Sequence, residues 1–344
     1  MTMYVRPVEM KDIDALVALA KKAGPGVTSL QPDRTMLRNR IKRSMDTFAG
    51  LLSLADQGYL FVLMNSESDE IVGLSGIEVA LGLKEPWYNF RIESLGTASV
   101  SDVQRKTTEL LYLSNDHTGC SELCTLFLDP AWRHSKNGQL LSKSRFLFIA
   151  AFRDLFAKKI VAEMRGISDE SGNSPFWDAV GRHFFKMDFK QADYLTGIGE
   201  KTFIAELMPR FPIYTALLPG DARVVIGQVH SQTKPARAML EAEGLRFNGY
   251  IDIFDGGATL DAPLSELRVM KESRICHICV IPERRPDNEI WYLVSNVNKK
   301  AFRAILIRTT LINNGELFMT DEECSALLVN TNEYVMVFPL YAGV

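Results

Sequence analysis

Five histidines, five cysteines and one basic segment are the groups in this chain whose types and spacing could do chemistry. Cys120, Cys124, Cys276, Cys279 and Cys324 are few for the length, and an odd number argues against a disulfide framework. Cys276-His277-Ile278-Cys279 has the CxxC spacing of zinc ribbons and redox sites, but a second ligand pair is missing. Ile275, Ile278, Val280 and Ile281 around it read as a strand, so the thiols are expected in the core and no metal is expected. The richer stretch runs from Ser121 to Arg153. Glu122 to Leu128 is an apolar, β-compatible run closed by Asp129-Pro130, the pattern of a buried strand ending at a turn. The turn reads Arg133-His134-Ser135-Lys136-Asn137-Gly138. From Gln139 to about Phe156 apolar residues recur at helical spacing, with Lys143, Arg145 and Arg153 between them. Strand, turn amides and helix N-terminus together make an anion site, because first-turn N–H groups lack partners and the dipole favours negative charge. Seven Lys or Arg against the single acid Asp154 between Arg133 and Lys159 suit a polyphosphate, although a solvated basic helix face would look the same.

The elements that must position these groups follow from periodicity and punctuation. A strand at Met3 to Val8 precedes helices at about Lys11 to Lys22 and Asp33 to Phe48; strands at Tyr59 to Met64, Ile71 to Leu81, Trp87 to Leu95 and Thr108 to Leu113 lead to the central stretch. Ile160 to Arg165 is a strand, Ser174-Pro175 starts a helix reaching about Phe185, and Thr202 to Leu207 is a further strand. A second unit repeats this outline: Thr233-Lys234-Pro235 starts a helix over Ala236 to Glu243, and a strand spans Leu245 to Phe254. Beyond Arg274 β runs dominate, at Ile275 to Pro282, Ile290 to Val297, Phe302 to Arg308 and Tyr334 to Leu340, read as a small barrel or sheet packed on the rest.

Composition bounds the partners. At 344 residues with 47% hydrophobic and 24% charged residues the chain is an ordinary globular protein of two or three domains. Its pI near 6.0 excludes a general attraction for nucleic acid. The N-terminus lacks the pattern of a signal peptide, and no apolar run approaches the roughly 20 residues that span a bilayer. A cytoplasmic protein with no membrane partner is expected.

A strand, then Arg-x-x-x-x-Gly, then a long helix resembles the motif of the GCN5-related N-acyltransferases, with Arg133 and Gly138 at its ends and Lys136 where the first glycine usually stands. The resemblance implies an α+β fold of tandem units of that kind, mixed and mostly antiparallel sheets flanked by helices, plus a small C-terminal β region. The expected divisions are 1–207, 208–262 and 263–344. It also implies that Arg133, Asn137 and Gly138 hold the CoA pyrophosphate, and that an amide among Leu126, Phe127 and Leu128 holds the thioester carbonyl as it becomes an oxyanion, worth about 3 kcal/mol when pre-aimed.

A closer resemblance is carried by Gly26-Val27-Thr28-Ser29-Leu30, Glu85-Pro86-Trp87-Tyr88-Asn89, Leu113 to Gly119, Ser121 to Leu128, Ala162 to Gly166, Ser174-Pro175-Phe176-Trp177, Ala205 to Pro209, Gly227-Gln228-Val229-His230 and Tyr250 to Gly257. In this order they resemble the arginine N-succinyltransferase family. That resemblance implies transfer of a succinyl group from succinyl-CoA, a co-substrate and not a resident cofactor, to the α-amine of L-arginine in arginine catabolism, within a homo-oligomer. It implies a succinyl-CoA contact at Leu126 and a proton donor at His230, suited by a pKa near 6.5. Without the resemblance His230 is one of five histidines with His117, His134, His183 and His277. His117 is the second candidate, since its turn precedes the thioester strand, though turn residues also bond backbone. Spacing does not choose a partner for the succinyl carboxylate among Thr28, Ser29 and Arg91, nor for the guanidinium among Glu78, Glu93, Asp116, Asp252 and Asp255. An acyltransferase for another amine or donor, and a non-catalytic partner subunit, are the alternatives.

Overall fold

The computed structural model describes residues 2–23, 29–96, 107–169, 172–197, 207–281, 290–309 and 315–343. Its first strands are β1 (Met3–Pro7), β2 (Gly58–Asn65), β3 (Ile71–Glu78), β4 (Asn89–Gly96), β5 (Thr107–Ser114), β6 (Ser121–Leu128) and β7 (Lys159–Glu163). β8 (Ile213–Tyr214), β9 (Arg246–Asp252) and β10 (Ala258–Pro263) follow, then β11 (Arg274–Val280), β12 (Ile290–Asn296), β13 (Ala304–Thr309), β14 (Glu316–Met319) and β15 (Tyr334–Pro339). All fifteen belong to one sheet in the order β14-β11-β15-β12-β13-β1-β2-β3-β6-β7-β10-β9-β4-β5-β8. Its pairs are antiparallel apart from β6·β7 and β11·β14, giving the expected mixed sheet flanked by helices. The C-terminal β region is not a separate barrel, because β13 pairs with β1 and continues the sheet. The run Thr202 to Leu207 expected as a strand lies almost wholly outside the described residues.

Helices α1 (Ile13–Ala23) and α2 (Arg34–Ala49) cover one face through Leu16, Leu19, Leu37 and Ile41. Asp33 caps α2 by accepting from the Met36 amide at 2.7 Å, and Gly50 ends it in the left-handed region that glycine adopts without a Cβ penalty. On the opposite face lies α3 (Asn137–Ala151), buried without interruption from Leu140 to Ile149. The alternative of a solvated basic helix face is not met, since Lys143 and Arg145 are both buried. α3 packs against β1, β3, β6, β12, β13 and β15 of the sheet and is also touched by the helices Lys234–Ala242 and Arg268–Glu272, so polar and apolar positions alike are covered. Phe146, Leu147, Phe148 and Ile149 share a core with Leu293, Phe302 and Phe338. Lys143 is satisfied inside it by the Leu340 carbonyl at 2.6 Å and by Glu243 at 2.7 Å. Glu243 is 0% exposed and also holds Arg268 at 2.9 Å, which donates to the Pro339 carbonyl and lies 4.0 Å from the Phe338 ring centre.

The repeat inferred between the two helix starts is only partial. Ser174 accepts from the Trp177 amide as an N-cap, with Pro175 in the first turn, but this helix breaks at Val180 into two short pieces. Thr233 makes no cap bond to the helix Lys234–Ala242; the preceding single turn is capped by His230. Cys276 and Cys279, three residues apart on β11, point to opposite sheet faces and cannot share a metal.

Candidate active site

The strand on which the sequence places the thioester contact is β6. It pairs with β7 at Ser121↔Ile160 and Glu122↔Val161 and then parts from it, leaving its later residues on an open edge. On its other side the register with β3 slips: Cys124 faces Gly76 and Phe127 faces Leu74, so Thr125 and Leu126 together oppose Ser75. This is a β-bulge, and Thr125 sits there at φ 52°, a conformation a β-branched residue adopts only when its surroundings impose it. The imposing contacts are visible. The Thr125 hydroxyl accepts from Arg40 at 2.9 Å and donates to the Ser29 hydroxyl at 3.0 Å, while Arg145 of α3 donates to the Cys124 carbonyl at 3.1 Å.

Where β6 and β7 part, a cavity of about 1020 Å³ opens. Its walls come from β6 (Glu122 to Phe127), the end of β7 and its extension (Glu163 to Arg165), α2 (Asn39, Arg40, Arg43), the loop from Ala80 to Tyr88, and Asp252 to Asp255. Leu126, Phe127 and Arg133 line it; Leu128, Asn137, Gly138 and His230 do not. Arg133 donates from Nε to the Leu128 carbonyl at 3.1 Å, tying the turn to the strand end. Asn137 is buried and donates to the Trp132 carbonyl, so its side chain shapes the turn from within. Ser135 and Lys136 both have positive φ, which folds the turn back onto the start of α3. The Lys136 ammonium lies 5.4 Å from the Trp291 ring centre and 5.7 Å from that of Tyr341, directed at the C-terminal strands. Of the seven basic residues counted from Arg133 to Lys159, only Arg133 and Arg145 reach the cavity.

His230 stands at the rim. Its amide donates to the carbonyl of Arg165, and Arg165, Gln232 and Thr233 line the cavity. Its Nδ1 accepts from the Gln232 amide at 3.3 Å, so the neutral ring carries its proton on Nε2. Burial, and then the charge of Arg165, lower its pKa below the ordinary 6.5. His117 is elsewhere. It is 1% exposed, with Nδ1 2.8 Å from the side-chain Oδ1 of Asn89 and Nε2 3.4 Å from Asp261. Asn89 turns its amide hydrogens to Glu163 and Thr259, so His117 braces the cavity wall from behind. Burial alone would raise Asp261, but bonds from His117 and Asn248 and the charge of Lys159 outweigh it and hold it low.

Among the acids considered for a guanidinium, Glu78, Asp252 and Asp255 line the cavity, as does Glu163, which spacing did not single out. Glu78 meets Arg40 and Arg43. Glu93 and Asp116 are engaged with Arg91 and lie outside the cavity, as Arg91 does; Ser29 lines it, and Thr28 is outside the described residues. Burial and the neighbouring Asp252 push Asp255 well above the usual carboxylate range, and burial raises Asp252. Both brace a tight turn: Asp252 accepts from the Phe254 and Asp255 amides, Asp255 from those of Gly166 and Gly257. A Cβ at Gly257 would stand 2.1 Å from the Met164 carbonyl oxygen, which accounts for the glycines of this segment.

A strand splayed from a parallel neighbour, bulged at the splay and followed by a turn and helix suits a thioester threaded between the strands. Residues 3–269 match the family described as arginine N-succinyltransferase beta subunit. An arginine N-succinyltransferase of Yersinia pestis is 51% identical over 345 residues, covering 99% of this chain and 98% of that protein. One from Photorhabdus laumondii is 50% identical over 339 residues and 98% of both. The solved structure of arginine/ornithine succinyltransferase subunit AI from Pseudomonas aeruginosa matches with a TM-score of 0.90 and 34% identity over 99% of each chain. The chain belongs to the arginine N-succinyltransferase family.

Proposed function

We propose that this chain transfers the succinyl group of succinyl-CoA to the α-amine of L-arginine, in a ternary complex at the β6–β7 splay, as a cytoplasmic homo-oligomer of arginine catabolism. The observation that carries the reading is the bulge at Thr125 and Leu126 in the cavity wall, where β6 has left β7. There the Leu126 amide receives the thioester oxygen as it becomes an oxyanion, and the turn at Arg133 to Gly138 receives the pyrophosphate. The neutral amine attacks the carbonyl carbon, a C–N bond forms, and the C–S bond breaks. The amine loses one proton and the sulfur gains one. His230 carries it: the ring takes up the amine's proton, releasing the long Gln232 contact, and returns one from Nε2, ending neutral. No covalent acyl-enzyme is required.

Thiol release measured across a panel of acyl-CoA donors and amino acids tests the assignment. Succinyl-CoA with arginine is expected to give the highest kcat/KM. Faster release with acetyl-CoA, or with ornithine in place of arginine, contradicts the assigned substrate pair.

A further inference from the structure

We infer that Arg145 receives the distal carboxylate of the acyl donor and so selects a dicarboxylic acyl group over a neutral one. The inference rests on the reading above, in which the Leu126 amide holds the thioester carbonyl.

Three arginines of the described chain are more than nine-tenths buried: Arg6, Arg145 and Arg268. Arg6 holds Asp12 through two bonds of 2.8 Å, and Arg268 holds Glu243. Arg145, 1% exposed, is different. Its Nε and Nη2 donate to the carbonyl and hydroxyl of Ser142 and its Nη1 to the Cys124 carbonyl, each at 3.1 Å, and all three acceptors are neutral. Among the described residues it forms no ion pair, and the charge of Glu122 acts on it only from farther off. A guanidinium has five N–H donors, so capacity remains for incoming oxygens. A buried cation without a carboxylate is costly, and an anion bound beside it relieves that cost. Arg145 lines the cavity, so an anion in the cavity can reach it.

Its place along the site fits the far end of the acyl group and not the phosphates. Arg145 is eight residues into α3 from Asn137, about 12 Å along the axis from the pyrophosphate turn. Its contact on β6 is Cys124, two residues before Leu126, at most about 6.6 Å along the strand. In a succinyl group the carboxylate carbon lies three C–C bonds from the thioester carbon, about 3.9 Å when extended, and a hydrogen bond adds about 2.9 Å at each end. Of the other cavity arginines, Arg40 and Arg43 meet Glu78, Arg133 donates to the Leu128 carbonyl beside the pyrophosphate turn, and Arg165 donates to the Ser168 hydroxyl and lies at the His230 rim.

Butyryl-CoA has the same four-carbon chain without the carboxylate and is the decisive probe. In the unsubstituted enzyme kcat/KM is expected to favour succinyl-CoA over butyryl-CoA by about 100-fold or more, with arginine as acceptor. Arg145→Met should collapse that ratio to within about threefold, by loss of succinyl turnover, and Arg145→Lys should restore part of it. Equal losses for both donors in Arg145→Met would make the residue merely a brace for Cys124 and overturn the inference. A preference below about threefold in the unsubstituted enzyme overturns it even if Arg145→Met does not fold. If the unsubstituted enzyme transfers neither acyl group to arginine, the proposed function fails, a result distinct from either ratio.

Discussion

Lys143 and Arg145 stand two residues apart on α3, both buried, and their surroundings divide the molecule into a dry side and a wet side. Lys143 reaches Glu243 and the Leu340 carbonyl, closing a cluster with Arg268 that joins α3, the end of the helix Lys234–Ala242 and the end of β15. Arg145 reaches only neutral oxygens and faces the cavity. A buried cation with a carboxylate partner is structural cement, and a buried cation without one in a cavity wall is a group waiting for an anion.

That division can be broken by experiment. On the dry side, Glu243→Gln leaves Lys143 without its carboxylate partner and Arg268 with Glu272 alone, and should cost about 3–5 kcal/mol of stability, read as a lowered midpoint in denaturant unfolding, with kcat of the folded fraction retained. A loss of turnover at unchanged stability would erase the distinction between the two sides. On the wet side the expected effect is smaller. Because Arg165 is one of two causes lowering His230, Arg165→Gln should move the acid limb of kcat/KM upward toward pH 6.5, by less than about one pH unit, since burial is the larger cause and remains. The sign follows from the neutral ring being the working form: a lowered pKa keeps it neutral to lower pH. An acid limb moving downward would contradict the role of Arg165.

Much of this organisation was legible in residue order. β6 announced itself as an apolar run stopped by Asp129-Pro130, and α3 by its helical spacing. The burial of Lys143 and Arg145 was not legible, because the groups that meet them are distant in the chain, Glu243 and the Leu340 carbonyl for Lys143 and the Cys124 carbonyl for Arg145. The bulge at Thr125 was hidden for the same reason, since it is held by Arg40, Ser29 and Arg145. No element is read from the sequence over β10, whose apolar pattern Asp261 and Pro263 interrupt, yet Asp261 is the buried partner of His117. One miss had a usable signal. Thr320 and Glu323 form a capping box ahead of the helix Asp321–Leu327, a Thr-x-x-Glu pattern readable from the chain alone.

The decisive test falls on His230, which stands at the rim while Gln232 and Thr233 of its loop line the cavity. In His230→Ala, kcat for succinyl transfer to arginine should fall by about 10²–10⁴-fold, while the affinity for succinyl-CoA, measured by calorimetry, stays within about twofold. Turnover retained within about threefold of the unsubstituted enzyme would contradict the placement of proton transfer at this residue.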